Sequence, residues 1–238
     1  MTHVAHPYIQ RIGIVRDWRS RWFSPNPKMF RENLRADATV RTFLAKRLRG
    51  TYIASTDIEI GNKVMRVIVR TSRPGMIIGR SGEGAQKLRK EVDSLLRTLK
   101  LSEKPEVKID IEEVRSPESS AAIVAQMITE GLEKRLPFRR VMKQTVEKVM
   151  ANRDVEGVRV ILGGRLGGAE MGRVEELKRG RIPLQTLRAD IDFSRERANM
   201  SYGVIGVKVW VYRGQVFTDR RANEQAGERG AERRPSRV

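Results

Sequence analysis

The stretch GMIIGRSGEGAQKL, from Gly75 to Leu88, limits what this chain can fold into more than any other. Gly75, Gly79, Gly82 and Gly84 fall within ten residues, with Ile77 and Ile78 just before the densest part. Such a bend suits a phosphate, yet it fits neither common nucleotide fingerprint. A P-loop needs GxxxxGK followed by Ser or Thr, so that a lysine meets the β- and γ-phosphates; no such string occurs. A dinucleotide loop needs GxGxxG directly between a strand and a helix. Here Pro74-Gly75 ends a strand-like run, Met76-Ile77-Ile78 makes one helical turn, and the glycines follow. The bend therefore joins two helices. A tight GxxG in that place brings backbone amides and a helix N-terminus to the surface. With no side chains at Gly79 and Gly82, an RNA backbone can come close.

The flanks carry the same reading. A helix is expected over 37–48, with Val40, Phe43, Leu44 and Leu48 on one face, Asp37 in its first turn and Gly50 at its end. Residues 51–60 and 63–70 alternate as strands around a Gly61-Asn62 turn. After the bend, Ala85, Leu88, Val92, Leu95 and Leu99 form an apolar stripe on a helix that runs from Gly84 to about Leu99. Lys104-Pro105 breaks it, and Val107, Ile109 and Ile111 alternate as a further strand. Strand, short helix, GxxG, long helix, strand resembles the core of a KH domain, whose GxxG loop clamps about four nucleotides of a single strand. The extra helix and strand precede this core, as in the type II arrangement. A plain glycine-rich helix connection is the alternative. The resemblance makes Gly79, Arg80, Ser81, Gly82 and Lys87 the candidate RNA-binding residues of the loop.

Charge narrows the partner. Lys and Arg number 48 against 29 Asp and Glu, a net +19, which points to a polyanion, most often nucleic acid. No apolar run approaches the roughly 20 residues that span a bilayer, and no basic amphipathic helix with an aromatic face competes for a membrane. No membrane partner is expected. Residues 1–50 carry 11 positive and 3 negative charges, whereas residues 51–113, with the glycine bend, carry 12 and 10. The loop therefore does not grip by charge alone. The absence of cysteine removes disulfides, thiolate zinc sites and cysteine nucleophiles, and fits a cytoplasmic protein. His3 and His6 lie in a ragged N-terminus and make a poor site. Asp190 and Asp192 share a strand face, as two Mg²⁺-binding carboxylates of a nuclease would, but strand alternation explains them equally well. No metal, cofactor or small-molecule substrate is expected.

At the N-terminus, Trp18, Trp22 and Phe23 sit among Arg16, Arg19 and Arg21. They suit an arm laid along RNA, or an arm packed on the protein's own core. In the second half, helices are expected from Ser119 to Arg135 and, after Pro137, to about Met150, with strands near 155–162, 188–193 and 204–212. At about 100° per residue, Arg139, Arg140 and Lys143 share one arc while Val146 and Val149 face elsewhere. A solvated face and a functional patch remain open on these residues alone. Gly163 to Gly168 reads as a bend with Arg165 aimed at phosphate. The last twenty residues are charged, lack an apolar period and read as a disordered tail.

The strings PFRRVMK (137–143), GGRLGGAEMGR (163–173), GRIPLQTLRADID (180–192) and YGVIGVKVWVYRG (202–214) closely resemble the C-terminal half of the bacterial-type small ribosomal subunit protein three family. RPGMIIGRSGEGAQKLRKEV (73–92) resembles its KH half, and RIGIVRDW followed by WF its N-terminal arm. The resemblance implies a structural component of the small-subunit head, not an enzyme. It implies small-subunit ribosomal RNA and neighbouring head proteins as partners, with messenger RNA at the channel through which it enters. It assigns Arg139, Arg140 and Lys143 to the face that meets messenger, with Gln144 where another basic residue is common in the family. Arg16, Trp18, Trp22, Arg165, Lys178, Arg181 and Arg188 are the candidate ribosomal RNA contacts. The expected architecture is α/β (α+β): a basic arm (1–36), a type II KH domain (37–113), a second mixed helix–sheet domain (117–214) and a charged tail (215–238). A free KH-domain RNA chaperone or regulator is the alternative function.

Overall fold

The computed structural model describes residues 5–61, 64–99, 101 and 105–217. Asn62 of the expected turn, Lys104 of the expected break, His3 and the tail from 218 onward lie outside the described residues.

Two four-stranded sheets are arranged in succession along the chain. The first is built from β1 (Ser20–Arg21), β2 (Ile53–Ile60), β3 (Val64–Thr71) and β4 (Glu106–Glu113), in the order β1-β2-β3-β4. β2 and β3 are antiparallel, and β3 and β4 parallel. Helices α1 (Pro27–Arg47), α2 (Pro74–Ile78) and α3 (Glu83–Thr98) give the order α–β–β–α–α–β of a type II KH unit. Its core joins Ala36, Val40 and Leu44 of α1 to Val67 and Val69 of β3 and to Leu88, Val92 and Leu96 of α3. The stripe on α3 is thus rotated slightly from expectation: Leu96 is buried, while Leu95 and Leu99 are half-buried.

Helix α1 begins ten residues earlier than the apolar spacing indicates. Asn26 caps it by accepting from the Lys28 amide at 3.0 Å, and Pro27 takes the first helical position, where a missing N–H costs nothing. The charged residues Lys28, Arg31, Glu32 and Arg35 mask this first half as arm. Asp37 is therefore interior and buried, accepting from Ser20 Oγ (2.6 Å) and pairing with Arg41 (2.8 Å).

The second sheet has the order β6-β5-β8-β7, all antiparallel: β5 (Gly157–Gly164), β6 (Arg173–Gly180), β7 (Ala189–Met200) and β8 (Gly203–Gln215). Helices α4 (Ala121–Glu133) and α5 (Phe138–Met150) cover one face. Val158, Val160 and Leu162 of β5 and Val207, Val209 and Val211 of β8 pack there against Val124, Ile128, Val146 and Val149. Sequence spacing misses β6 altogether and stops β7 at 193. Both are sheet-edge strands with a polar pattern, and pairing rather than apolar content makes them strands.

The two units meet at α4. Gln126 bonds both the amide (3.1 Å) and the carbonyl (3.3 Å) of Ile53, and Arg49 pairs with Glu133 at 2.6 Å.

Candidate nucleic-acid interface

The loop from Gly79 to Gly82 is built by its backbone. Gly79 has φ +71°, Ser81 +54° and Gly82 +83°. Left-handed residues in such succession demand glycine where a Cβ would be strained, and Ser81 bears that strain as a single exposed residue. Gly84 has a different cause: a Cβ there would come within 2.5 Å of the Ile77 carbonyl oxygen, so α3 can start against α2 only without a side chain. The result presents the N-terminus of α3 with Arg80, Ser81 and Lys87 exposed beside it. Met76 and Ile78 are exposed on the same approach, at 61% and 38%.

The near-neutral balance of this unit has a local explanation. Arg66 pairs with Asp110, and Arg70 pairs with Asp57 (2.9 Å) and Glu112 (2.8 Å). These carboxylates neutralise Arg66 and Arg70 of the first sheet. Arg80 and Lys87 have no carboxylate partner among the described residues.

On α5, Val141, Met142, Thr145, Val146 and Val149 are buried while Arg139, Arg140 and Lys143 are exposed on the other side. Arg139 is held at 3.3 Å from Glu175 of β6, and that hydrogen bond and charge raise its pKa further. Arg140 and Lys143 have no carboxylate partner among the described residues.

The arm both packs and projects. Trp22 packs on Phe30 of α1 with ring centroids 5.1 Å apart, whereas Trp18 and Phe23 are exposed at 62% and 83%. Arg16 turns inward to Asp190 at 2.6 Å. The sequence gives no hint that Arg11 is the anchor. It is fully buried and donates to the carbonyls of Pro7 (2.9 Å), Leu184 (2.9 Å), Thr186 (2.9 Å) and Ala189 (2.6 Å). Burial works against its charge and Asp190 supports it. His6 packs on Phe193 with ring centroids 4.8 Å apart; burial, then Arg195 and Arg19, hold its imidazole below the usual range. A lone arginine in a string of arginines carries no signal that distinguishes it. Only the fold shows four carbonyls converging on one guanidinium.

Asp190 and Asp192 do not open a metal site. Asp190 faces Arg16, and Asp192 pairs with Arg213 at 3.1 Å while accepting from the Ala121 amide at 2.9 Å, which caps α4. Arg165 is exposed, but its Nε and Nη1 donate to the carbonyls of Ala169 (2.8 Å) and Tyr202 (3.1 Å). Lys178, Arg181 and Arg188 are exposed on or beside β6 and β7. The structure thus groups Arg139 with Arg140 and Lys143, and Arg80 with Lys87, at separate places.

Cations spread over so many exposed positions bind RNA by releasing counterions. The full-length protein is expected to bind RNA with log K falling by about 5 or more per unit of log salt, at ~0.7–0.9 per phosphate neutralised. A titration slope near 1 would show that the surplus charge stays off the RNA.

Residues 128–211 match the family described as ribosomal protein S3, C-terminal domain, and residues 39–119 match the KH domain family. The chain is 40% identical over 225 residues to the small ribosomal subunit protein uS3 of Clostridium novyi, covering 94% of this chain and 98% of that protein. It is also 40% identical over 227 residues to uS3 of Caldicellulosiruptor bescii, covering 95% of this chain and 99% of that protein.

Proposed function

Because this chain belongs to the uS3 family of small ribosomal subunit proteins, we propose that it guides messenger RNA into the subunit with the exposed face of α5. As a member of that family it is a structural, RNA-binding component of the bacterial small subunit in the cytoplasm, not an enzyme. Ribosomal RNA is its principal partner, held by the GxxG loop and the basic surfaces, and neighbouring proteins of the subunit head flank it.

One observation supports the messenger reading above the others. Arg139, Arg140 and Lys143 stand together on the exposed side of a helix whose other side is fully committed to the core. Anchored at one end by Glu175, the face offers Arg140 and Lys143 to phosphate without a competing carboxylate. Positive charge fixed on a rigid helix holds a passing strand without reading its bases.

Replacing the three by alanine removes no buried contact, and alanine is a strong helix former. Mutant subunits are expected to assemble normally and to translate an unstructured message near the wild-type rate. On a message with a stable downstream hairpin they are expected to slow several-fold. Equal rates on both messages would remove the messenger assignment, and failed assembly would place the patch on ribosomal RNA.

A further inference from the structure

The second sheet has a face that neither α4 nor α5 covers. Beyond the row of Gly180, Gly157, Tyr212 and Ile191, which Ile182 and Leu184 pack against, register places four more rows on it. Lys178, Arg159, Trp210 and Phe193 form one row, and Glu176, Ile161, Lys208 and Arg195 the next. Val174, Gly163, Gly206 and Arg197 form the third, and Val204 and Asn199 lie beyond. The arm touches the row of Phe193 through His6, whose pKa the neighbouring Arg195 helps to lower. Lys208, Arg195, Gly206, Arg197, Val174 and Val204 are all exposed.

Two features of this open area are costly to the protein alone. Arg195 and Lys208 are directly opposite across β7 and β8. Like charges facing each other across strands destabilise a sheet, and neither has a carboxylate partner among the described residues. The one acid that the described strands place on these rows, Glu176, is already paired with Arg159 at 2.7 Å. The second feature is Gly163 directly opposite Gly206. Glycine weakens a strand interior. Neither residue has a positive φ. A Cβ on Gly163 would meet only Val174 Cγ2 at 3.7 Å, and one on Gly206 only the Gly163 carbonyl oxygen at 3.7 Å, both ordinary contacts. Gly157 and Gly180 in the same sheet differ, since a Cβ there would strike backbone oxygens at 2.0 and 2.1 Å. Nothing inside the protein requires glycine at 163 and 206. The missing side chains leave room for a body that approaches from outside.

We propose that this face is a second RNA-binding surface, on which a sugar–phosphate backbone of ribosomal RNA crosses the bare Gly163–Gly206 window with its phosphates on Arg195, Lys208 and Arg197. The inference rests on the ribosomal reading above and adds a site to it. The window is about one strand spacing wide on each side, near 5 Å, so a backbone settles onto peptide rather than side chain. An anion between Arg195 and Lys208 removes the repulsion that the free protein carries. The cationic face calls for an anionic partner, and the ribosomal RNA that a uS3 protein binds is the polyanion at hand.

The chain has no cysteine, so one introduced thiol is unique. Full-length Val204→Cys, carrying a benzophenone and assembled into small subunits, is expected to give a nuclease-sensitive RNA adduct on illumination. Full-length Arg80→Cys, labelled in the same way, reports on the loop. RNA adducts from Arg80→Cys with none from Val204→Cys overturn the second surface and leave the ribosomal reading intact. A protein adduct from Val204→Cys also overturns it. No RNA adduct from either variant defeats the ribosomal RNA reading itself. The double variant Arg195→Gln/Lys208→Gln is expected to melt no lower than wild type, because the repulsion is gone. It is expected to bind small-subunit ribosomal RNA about tenfold more weakly, with a shallower salt slope. Unchanged affinity overturns the proposal.

Discussion

Replacing Arg80 and Ser81 together by aspartate is expected to weaken binding of single-stranded RNA by the full-length protein on the order of 10- to 100-fold. The exchange removes one cation and sets two like charges against phosphate at the N-terminus of α3, where negative charge is otherwise favoured. The fold should survive. Both positions are exposed, and Ser81 already lies at φ +54°, a region that aspartate tolerates better than most residues. The measurement is a pair of binding isotherms at fixed salt, with a thermal melt of each protein. Equal affinity with equal melting would take the GxxG loop out of the interface. Lower melting would instead mean that the loop holds α2 and α3 together, as Gly84 does. Isolating residues 37–113 for this test would cut α1, which begins at Pro27, and would discard β1, so the whole chain is the right material.

Arg11→Ala is expected to release the N-terminal arm. Four carbonyls, of Pro7, Leu184, Thr186 and Ala189, lose their donor at once. Removing one partner of a buried charged network costs about 3–5 kcal/mol, because the groups left behind stay buried and unpaired. The loss is local first: the arm detaches before the two cores do. Trypsin should then cut at Arg16, Arg19 and Arg21 many times faster than in the wild type, while α5 stays protected. Arg11→Lys should lie between, since one ammonium cannot reach four carbonyls spread around a planar fork. Cleavage of the arm at the wild-type rate in Arg11→Ala would show that Arg16 with Asp190, and Ser20–Arg21 on β2, hold it by themselves. The same variant tests whether RNA reaches Trp18 and Phe23. Trp18 lies between the anchors at Arg11 and β1, and Phe23 between β1 and α1.

Local chemistry made much of this molecule legible before any fold was known. The GxxG loop could be read because its glycines answer to their own φ values, a requirement that lies within four residues. The α5 face could be read because helical periodicity sets Arg139, Lys143 and Arg140 in one arc of about 100° with Val149 well outside it, whereas Val146, about 20° from Arg139, is placed in the core only by the fold. The long apolar strand β8 announced itself for the same reason. What failed were segments whose state is set by a distant partner. β6 and the far half of β7 are polar, and they are strands because β5 and β8 supply their hydrogen bonds. The first ten residues of α1 are charged, and they are helical because Asn26 and Pro27 start a helix whose stability comes from Val40 and Leu44 further on.

The sequence by itself determined the two-unit α/β plan, the GxxG loop and the basic helix face, because each rests on residues close together in the chain, and its composition determined the surplus of positive charge. Only the tertiary structure decided which arginines are free for RNA and which are bound within the protein. Arg11, Arg16, Arg66 and Arg70 look no different in sequence from Arg80, Arg140 or Arg195. Their fates diverge because folding brings a carbonyl cluster or a carboxylate from across the sheet to the first four and leaves the others facing solvent. The same holds for glycine: Gly157, required by a backbone 24 residues away, and Gly206, required by nothing within the chain, differ only in what the fold sets beside them. Charge and side-chain size are properties of a residue, but pairing and contact are properties of two, and the second partner is chosen by the fold.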